Sequence, residues 1–292
     1  MSAVSRPALR YHGGKWKLAP WLQLFFPPHR VYVEAFGGGG SVLLRKPRTY
    51  AEIYNDLDGE VVNVFQVLRD RGPELAEALR LTPFAREEFD LSYLRAADSL
   101  EQARRTIARS FMGFGSAAAT GERSGFRANS NRSGTTPAHD WANLADALPA
   151  LTQRLRGVVI ENRDAMRVAV HHDSPDTLHY FDPPYVHSTR SGKMRGTATE
   201  GRASGKAYRY EMDDDAHRQF AMVAHGLEGM VVVSGYSCPL YQELFGDWER
   251  FERPAFADGA RARTEVVWLN PNCSDALHRS RSSLFASAEG FA

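Results

Sequence analysis

Two rhythms of apolar residues alternate along the chain. Val31 to Phe36 reads VYVEAF, a short run of β-branched and aromatic residues that predicts a strand. It runs into Gly37-Gly38-Gly39-Gly40-Ser41, after which Val42 to Leu44 starts a helix. Ala51 to Tyr54 predicts a second strand ending at Asn55-Asp56. Val61, Val64, Phe65 and Leu68 then recur at helical spacing between Leu57 and Arg69. Strand, glycine turn, helix, strand is how a parallel α/β sheet opens. Pro73 to Phe111 reads as mostly helical with a break at Thr82-Pro83, and Met112 to Asp140 follows without periodicity. Strands resume at Gly157 to Ile160 and at Thr177 to Asp182. A second non-periodic stretch, Val186 to Arg209, precedes a helix near Asp213 to Gly226, and Met230 to Ser234 and Thr264 to Leu269 read as further strands. The polar sequence after Asn272 predicts a frayed tail.

Composition narrows the class. A chain of 292 residues with 43% hydrophobic, 24% charged and 11% aromatic residues can bury a large core, as one domain or one domain with an insertion. No apolar run approaches the ~20 residues of a membrane span. Met1 to Arg10 lacks the apolar centre of a signal peptide. Cys238 and Cys273 make neither a disulfide framework nor a structural zinc site. These features predict a soluble, cytoplasmic protein without disulfides.

The net charge of +1 conceals an uneven distribution. Of the 36 cations, 31 are Arg. Arg104, Arg105, Arg109, Arg123, Arg127 and Arg132 face one acid, Glu122, between Ala103 and Gly134. Arg190, Lys193, Arg195, Arg202, Lys206 and Arg209 face Glu200 between His187 and Arg209. Charge alone fits a pair of solvated loops equally well. Both islands, however, run into the two long stretches without periodicity, and long loops in a compact domain are usually functional. The combination points to a polyanion reached at two places.

The glycine turn and the aspartate 20 residues beyond Phe36, Asp56, have the spacing of a site for a ribose-bearing ligand. The dinucleotide fingerprint fails, because Val42 or Leu43 occupies the place of its third glycine, and no Gly-Lys-Ser/Thr makes a phosphate loop. S-adenosyl-L-methionine, with a ribose and no pyrophosphate, suits such a turn; a plain tight turn is the bland alternative. Asp182-Pro183-Pro184-Tyr185 closes a strand, where open α/β sheets bind ligands. The prolines fix φ and donate nothing. Asp182 and the Pro183 carbonyl can then accept from a planar –NH2 group while Tyr185 stacks on its ring, as an extruded base requires.

These motifs together resemble the Dam-like DNA adenine-N6 methyltransferases, in that family's order and from Tyr11 to about Pro271. Tyr11-His12-Gly13-Gly14-Lys15 is similar to its N-terminal cofactor motif and Glu34-Ala35-Phe36-Gly37-Gly38-Gly39 to its cofactor loop. Asn55-Asp56 matches the acidic motif and Asp182 to Tyr185 the catalytic tetrapeptide. Arg263-Thr264-Glu265-Val266-Val267-Trp268 matches a C-terminal strand signature. The resemblance implies a Rossmann-like methyltransferase sheet formed by residues 1–69 and 151–275, a helical, loop-rich target-recognition insertion at 70–150, and a flexible tail at 276–292. It implies that Tyr11, Lys15, Phe36, Gly37 and Gly38 contact S-adenosyl-L-methionine, with Asp182 at the edge of that site. Asp56 would take the ribose hydroxyls and Asp164, a looser match, the cofactor's adenine amino group.

The implied reaction is direct in-line transfer to the N6 amino group of an adenine flipped out of double-stranded DNA. Asp182, Pro183, Pro184 and Tyr185 form the catalytic set, with no metal and no covalent intermediate. DNA contacts fall to Arg105, Arg109, Arg123, Phe126, Arg127, Asn129, Asn131 and Arg132 in the insertion, and to Arg190 and Lys193 after the tetrapeptide. Arg104, with Arg105 and Arg109, would face phosphates. Tyr208 and Tyr210 are candidates for the base pocket, while His171-His172 and Asp213-Asp214-Asp215 read as surface and helix start. A monomer is expected. Cytosine-N4 transfer, a DNA-binding module of the same fold without catalysis, and a dehydrogenase remain as rivals; Asp at 182 and the missing third glycine weigh against the first and last.

Overall fold

In the computed structural model, residues 4–114, 123–128, 134–186, 209–257 and 261–289 are described, with the backbone alone at 255–257, 261–263 and 283–289. Along the chain α1 (Ala19–Leu22), β1 (Val31–Glu34), α2 (Ser41–Arg45), β2 (Ala51–Asn55) and α3 (Gly59–Asp70) lead to α4 (Gly72–Leu81), α5 (Arg86–Leu91) and α6 (Ser99–Met112). After these come α7 (Pro137–Ala142), α8 (Leu148–Leu155), β3 (Val158–Glu161), α9 (Ala165–His171) and β4 (Thr177–Phe181). The chain continues through α10 (Asp214–Gly226), β5 (Met230–Tyr236), α11 (Pro239–Phe245), β6 (Glu249–Ala257), β7 (Arg261–Leu269) and α12 (Pro271–Glu289). It divides into two units, Met1–Gln23 with Phe36–Ala165, and Leu24–Ala35 with Met166–Ala292.

In the first unit β2 and β3 pair in parallel, with Asn55 opposite Glu161. The spacing read from the sequence is what α3 buries: Val61, Val64, Phe65 and Leu68, against α6 and α8. Asp58 caps α3 by accepting from Glu60 N at 3.0 Å, and Asp98 caps α6 by accepting from Glu101 N at 2.9 Å. Glu52 of β2 is buried with two cations, Arg154 at 2.6 Å and Lys46 at 2.8 Å. Burial alone would raise its pKa; the hydrogen bonds from Arg154 and Lys46 outweigh that and hold it below the usual range. Removing one partner of such a set costs about 3–5 kcal/mol.

The second unit is built on β1, β4 and β5 in parallel, then β7 antiparallel to β5 and β6 antiparallel to β7. Every residue of β4 is buried, and so is β5 up to its last residue, as strands covered on both faces must be. His179 is a buried titratable group within β4: its Nε2 lies 3.0 Å from Asp173 Oδ1, and burial lowers its pKa. Phe181 meets Phe220 of α10 edge-on at 5.3 Å, and Trp268 of β7 meets Tyr241 of α11 in the same way at 5.4 Å.

The main strands and helices lie where hydrophobic spacing places them, and the differences have local causes. The helical run over 73–111 breaks at 82–85, as expected at Thr82-Pro83, and a second time at 92–98, where the buried Ser92 turns its hydroxyl back onto Phe89 O at 2.6 Å. β6 was not among the expected strands; its Glu249, Arg250, Glu252, Arg253 and Pro254 occupy an edge strand, where charge and proline are tolerated. Residues 276–289, expected as a frayed tail, belong to α12. Asn270 Oδ1 accepts from Cys273 N at 2.9 Å and from Val231 N at 2.8 Å, Pro271 occupies the first turn, and Cys273 and Leu277 are buried. Two anchored turns outweigh a polar composition.

Candidate active site

In the first unit the glycine loop is folded onto two tyrosines and an aspartate. Gly37 N donates to Asn55 O at 2.7 Å and Gly38 N to Asp56 Oδ2 at 2.7 Å, while the Tyr54 hydroxyl donates to Gly38 O at 2.7 Å. Gly38 has φ +47°, and a Cβ there would stand 2.7 Å from the Tyr11 ring; at Gly37 it would stand 2.2 Å from the Tyr54 ring. The loop therefore needs glycine for both conformation and space. Tyr11 belongs to the same cluster as Gly14, whose Cβ position is 3.7 Å from Ser41 Oγ. Lys15 is 3% exposed, with its ammonium 3.4 Å from Gly13 O.

Asp56 accepts from Gly38 N and, at Oδ1, from Asp58 N at 2.8 Å. Burial of the carboxylate pushes its pKa up to about 6, against the downward pull of those two hydrogen bonds. Asn55 clamps the loop after β3: its Nδ2 donates to Arg163 O at 3.0 Å and its Oδ1 accepts from Arg163 N at 2.9 Å. Asn162 Nδ2 donates to Asp56 O at 2.7 Å. Asp164 follows in that clamped loop and is exposed. Tyr11, Gly37, Gly38, Asp56 and the loop carrying Asp164 are thus tied together through hydrogen bonds and ring contacts, and Phe36 stands half-buried at the loop's start.

In the second unit Asp182-Pro183-Pro184-Tyr185 follows the last residue of β4 directly. Asp182 Oδ1 accepts from the Ser234 hydroxyl at 3.0 Å. Tyr185 is 9% exposed, and its ring lies 4.4 Å from that of Tyr236 at an interplanar angle of 38°. Neither Ser234 nor Tyr236 was singled out by sequence. Both close β5, the neighbour of β4, where Met-Val-Val-Val gives way to Ser-Gly-Tyr, and the sequence carried no signal of what they would face. The C-terminal signature lies on β7, whose Glu265 is opposite Tyr236.

The arginines of the first basic island are spent mostly inside the fold. Arg104 is held by Glu101 and Glu88 at 2.6 and 2.7 Å; the Arg104 hydrogen bond brings Glu101 down to a pKa of about 2. Arg105 pairs with Glu101 at 2.6 Å and donates to Leu94 O at 3.1 Å. Arg109 is buried, pairing with Glu60 at 2.6 Å and donating to Ser92 O at 3.0 Å, and Arg127 is buried with a hydrogen bond to Phe111 O at 3.1 Å. Helical spacing was read as a phosphate-facing stripe, but that stripe faces Glu101 of its own helix, acids on α3 and α5, and backbone carbonyls. Phe126 packs against Phe84 at 5.1 Å and Phe89 at 5.7 Å. Arg123 is exposed, its guanidinium 5.2 Å from the Tyr93 ring centre. Asn129, Asn131, Arg132, Arg190, Lys193 and Tyr208 lie outside the described residues; Tyr210 is 47% exposed. Among the described residues no helix is long and apolar enough to cross a membrane.

Comparison with known proteins adds two findings. The family model of the D12 class N6 adenine-specific DNA methyltransferases matches residues 11–254. Over 290 residues the chain is 24% identical to a type II methyltransferase of Lactococcus lactis subsp. cremoris, an alignment that covers 91% of this chain and 95% of the relative.

Proposed function

This chain belongs to the D12 class of N6 adenine-specific DNA methyltransferases and so methylates the N6 amino group of adenine in DNA; from that premise we propose how its residues divide the work. The methyl donor is S-adenosyl-L-methionine, which supplies an electrophilic methyl on a sulfonium. The residues present suit it. Asp56 is an acceptor already steadied by two backbone N–H groups and able to take ribose hydroxyls. Lys15 is a buried cation for a carboxylate, and the Phe36-Gly37-Gly38 turn, with Tyr11 against it, receives the amino-acid portion. Asp164, exposed in its clamped loop, accepts from an adenine amino group.

Asp182 and the Pro183 carbonyl hold the target amine, and Tyr185 stacks on the base extruded from duplex DNA. An exocyclic amine conjugated to its ring is a poor nucleophile, because its lone pair is delocalised. Two acceptors pull its hydrogens out of the ring plane and leave the lone pair aimed at the methyl group. Asp182 stabilises the positive charge that develops on nitrogen, and positioning supplies much of the remaining acceleration. The enzyme acts as a monomer. Arg123, Arg132, Arg190 and Lys193 grip DNA, while Arg104, Arg105, Arg109 and Arg127 hold the first unit together.

The single observation that carries this reading is the Asp182 carboxylate anchored by Ser234 at the end of a buried parallel strand, in series with Pro-Pro-Tyr. The test is incubation with methyl-labelled S-adenosyl-L-methionine and unmethylated duplex DNA, followed by digestion to nucleosides. Label in N6-methyladenine is expected. Label only when the DNA is single-stranded would overturn the duplex reading, and absence of label in DNA beside a protein that shows no binding of the donor would overturn the donor.

A further inference from the structure

Asp182 is steered by residues outside its own tetrapeptide. β4 and β5 run parallel with Phe181 opposite Val233, so one step further along the register Ser234 comes beside Asp182. Ser234 is fully buried, and its Oγ stands 3.0 Å from Asp182 Oδ1 and 2.8 Å from the Tyr180 hydroxyl. Tyr180 and Asp182, two residues apart on an extended chain, face the same way. Tyr180 is itself buried, with its ring packed near Phe26.

Counting hydrogens orients this chain. A serine hydroxyl carries one hydrogen and an ionised carboxylate can only accept. The Ser234 hydrogen therefore goes to Asp182, and the Tyr180 hydroxyl must donate its own to Ser234 Oγ. Tyr241, the titratable group of α11 that feels the Asp182 charge, stays a neutral phenol because burial raises its pKa well above 10. The order Tyr180 to Ser234 to Asp182 is the arrangement in which each group is satisfied while the carboxylate remains an anion.

We propose that Ser234, backed by Tyr180, is a positioning residue for methyl transfer: it holds the Asp182 carboxylate ionised and turned to accept from the target amino group. The proposal rests on the role given to Asp182 above. No bond to either hydroxyl is made or broken in the reaction; what the chain supplies is orientation, through a charge-assisted hydrogen bond in a buried setting. With alanine at 234 the carboxylate loses its lateral donor and the Tyr180 hydroxyl loses the acceptor that orients it.

The test compares S234A, S234T and Y180F by single-turnover methylation of plasmid DNA with labelled S-adenosyl-L-methionine. The KM for the donor and the DNA Kd are measured alongside. S234A should slow transfer by about tenfold or more with donor KM and DNA Kd unchanged, and S234T, which keeps the hydroxyl, should restore most of the rate. Y180F should slow transfer less, by a few-fold. An unchanged rate in S234A overturns the proposal, as does a loss in which KM and Kd rise together and S234T fails to rescue, since that is the mark of a packing role. Should S234A fail to fold, Y180F decides, because it removes the donor to Ser234 and leaves the Ser234–Asp182 bond in place; an unchanged rate there overturns the relay. D182N assayed in parallel separates the two readings: full activity in D182N removes Asp182 itself from catalysis, whereas an inactive D182N beside a fully active S234A removes only Ser234.

Discussion

Each unit ends a buried strand on an aspartate, and the two carboxylates are held in opposite ways. Asp56, after β2, accepts from two backbone amides, Gly38 N at 2.7 Å and Asp58 N at 2.8 Å. Asp182, after β4, accepts from a side-chain hydroxyl 52 residues along the chain, at 3.0 Å. Backbone donors come with the turn, whatever side chains surround it, as long as the glycines that shape it are kept. A hydroxyl can be removed by a single change, and it can rotate. The first arrangement suits a fixed acceptor for a ligand's hydroxyls; the second suits a carboxylate whose direction matters during the chemistry.

The largest expected effect follows from the second arrangement. Asp182→Ala should lower the methyl-transfer rate by roughly a hundred- to a thousandfold, the scale of losing one group that stabilises transition-state charge, while DNA affinity persists. Rapid-quench assays with enzyme in excess over DNA check it. A rate within a few-fold of the parent would collapse the contrast between the two aspartates.

How far each arrangement was legible in the sequence follows the same line. Gly37, Gly38, Asn55 and Asp56 were readable because contiguous residues build the turn and its acceptor. Asp182 was readable as the end of an apolar strand. Ser234 was not, because which strand lies beside β4 is a tertiary fact, and serine at the end of a valine run says nothing of its partner. The same limit applies to the arginines. Their spacing on α6 was visible, and so was Glu101 one turn before Arg104 and Arg105, but Glu60 on α3 and Glu88 on α5, which take Arg109 and share Arg104, come from elsewhere in the chain. Charge counts report how many cations there are, and only the packing shows which of them are already paired.

That limit sets the second prediction. Arg109 is 3% exposed and bridges α6 to the half-buried Glu60 of α3, so Arg109→Ala leaves Glu60 without its cation and the buried Ser92 carbonyl without its donor, and should cost about 1–3 kcal/mol of stability. Denaturant unfolding measures it. A variant of unchanged stability that loses DNA affinity would return Arg109 to the DNA-facing set.

Asp56 sharpens the comparison from the other side. Asp56→Ala should weaken donor binding by roughly ten- to a hundredfold and change the transfer rate at saturating donor far less. pH provides a second handle. Burial raises this carboxyl from 3.8 to about 6, so the folded protein without donor holds an extra proton as pH falls below about 6 and gains stability relative to the unfolded chain down to about 3.8. The donor's hydroxyls need the ionised form, so donor affinity should fall over the same window. Thermal melts of parent and Asp56→Ala at pH 5 and pH 7.5, with and without donor, isolate the residue's share. A donor-induced shift in Tm that is equal at the two pH values would mean that Asp56 does not bind in its charged form.

The smallest effect concerns Arg123, the described arginine of the predicted DNA-contact set that is exposed, its guanidinium over the Tyr93 ring at 5.2 Å. A cation that neutralises one phosphate releases about one counterion, so Arg123→Ala should reduce the slope of log affinity against log salt by about one and weaken binding a few-fold, alike for all sequences. Stability should stay within about 0.5 kcal/mol of the parent, as for most surface changes. An unchanged slope would leave the Tyr93 contact as the whole role of Arg123. A loss confined to particular sequences would instead make it a reader of base edges, and would place target choice on the same unit that holds the donor.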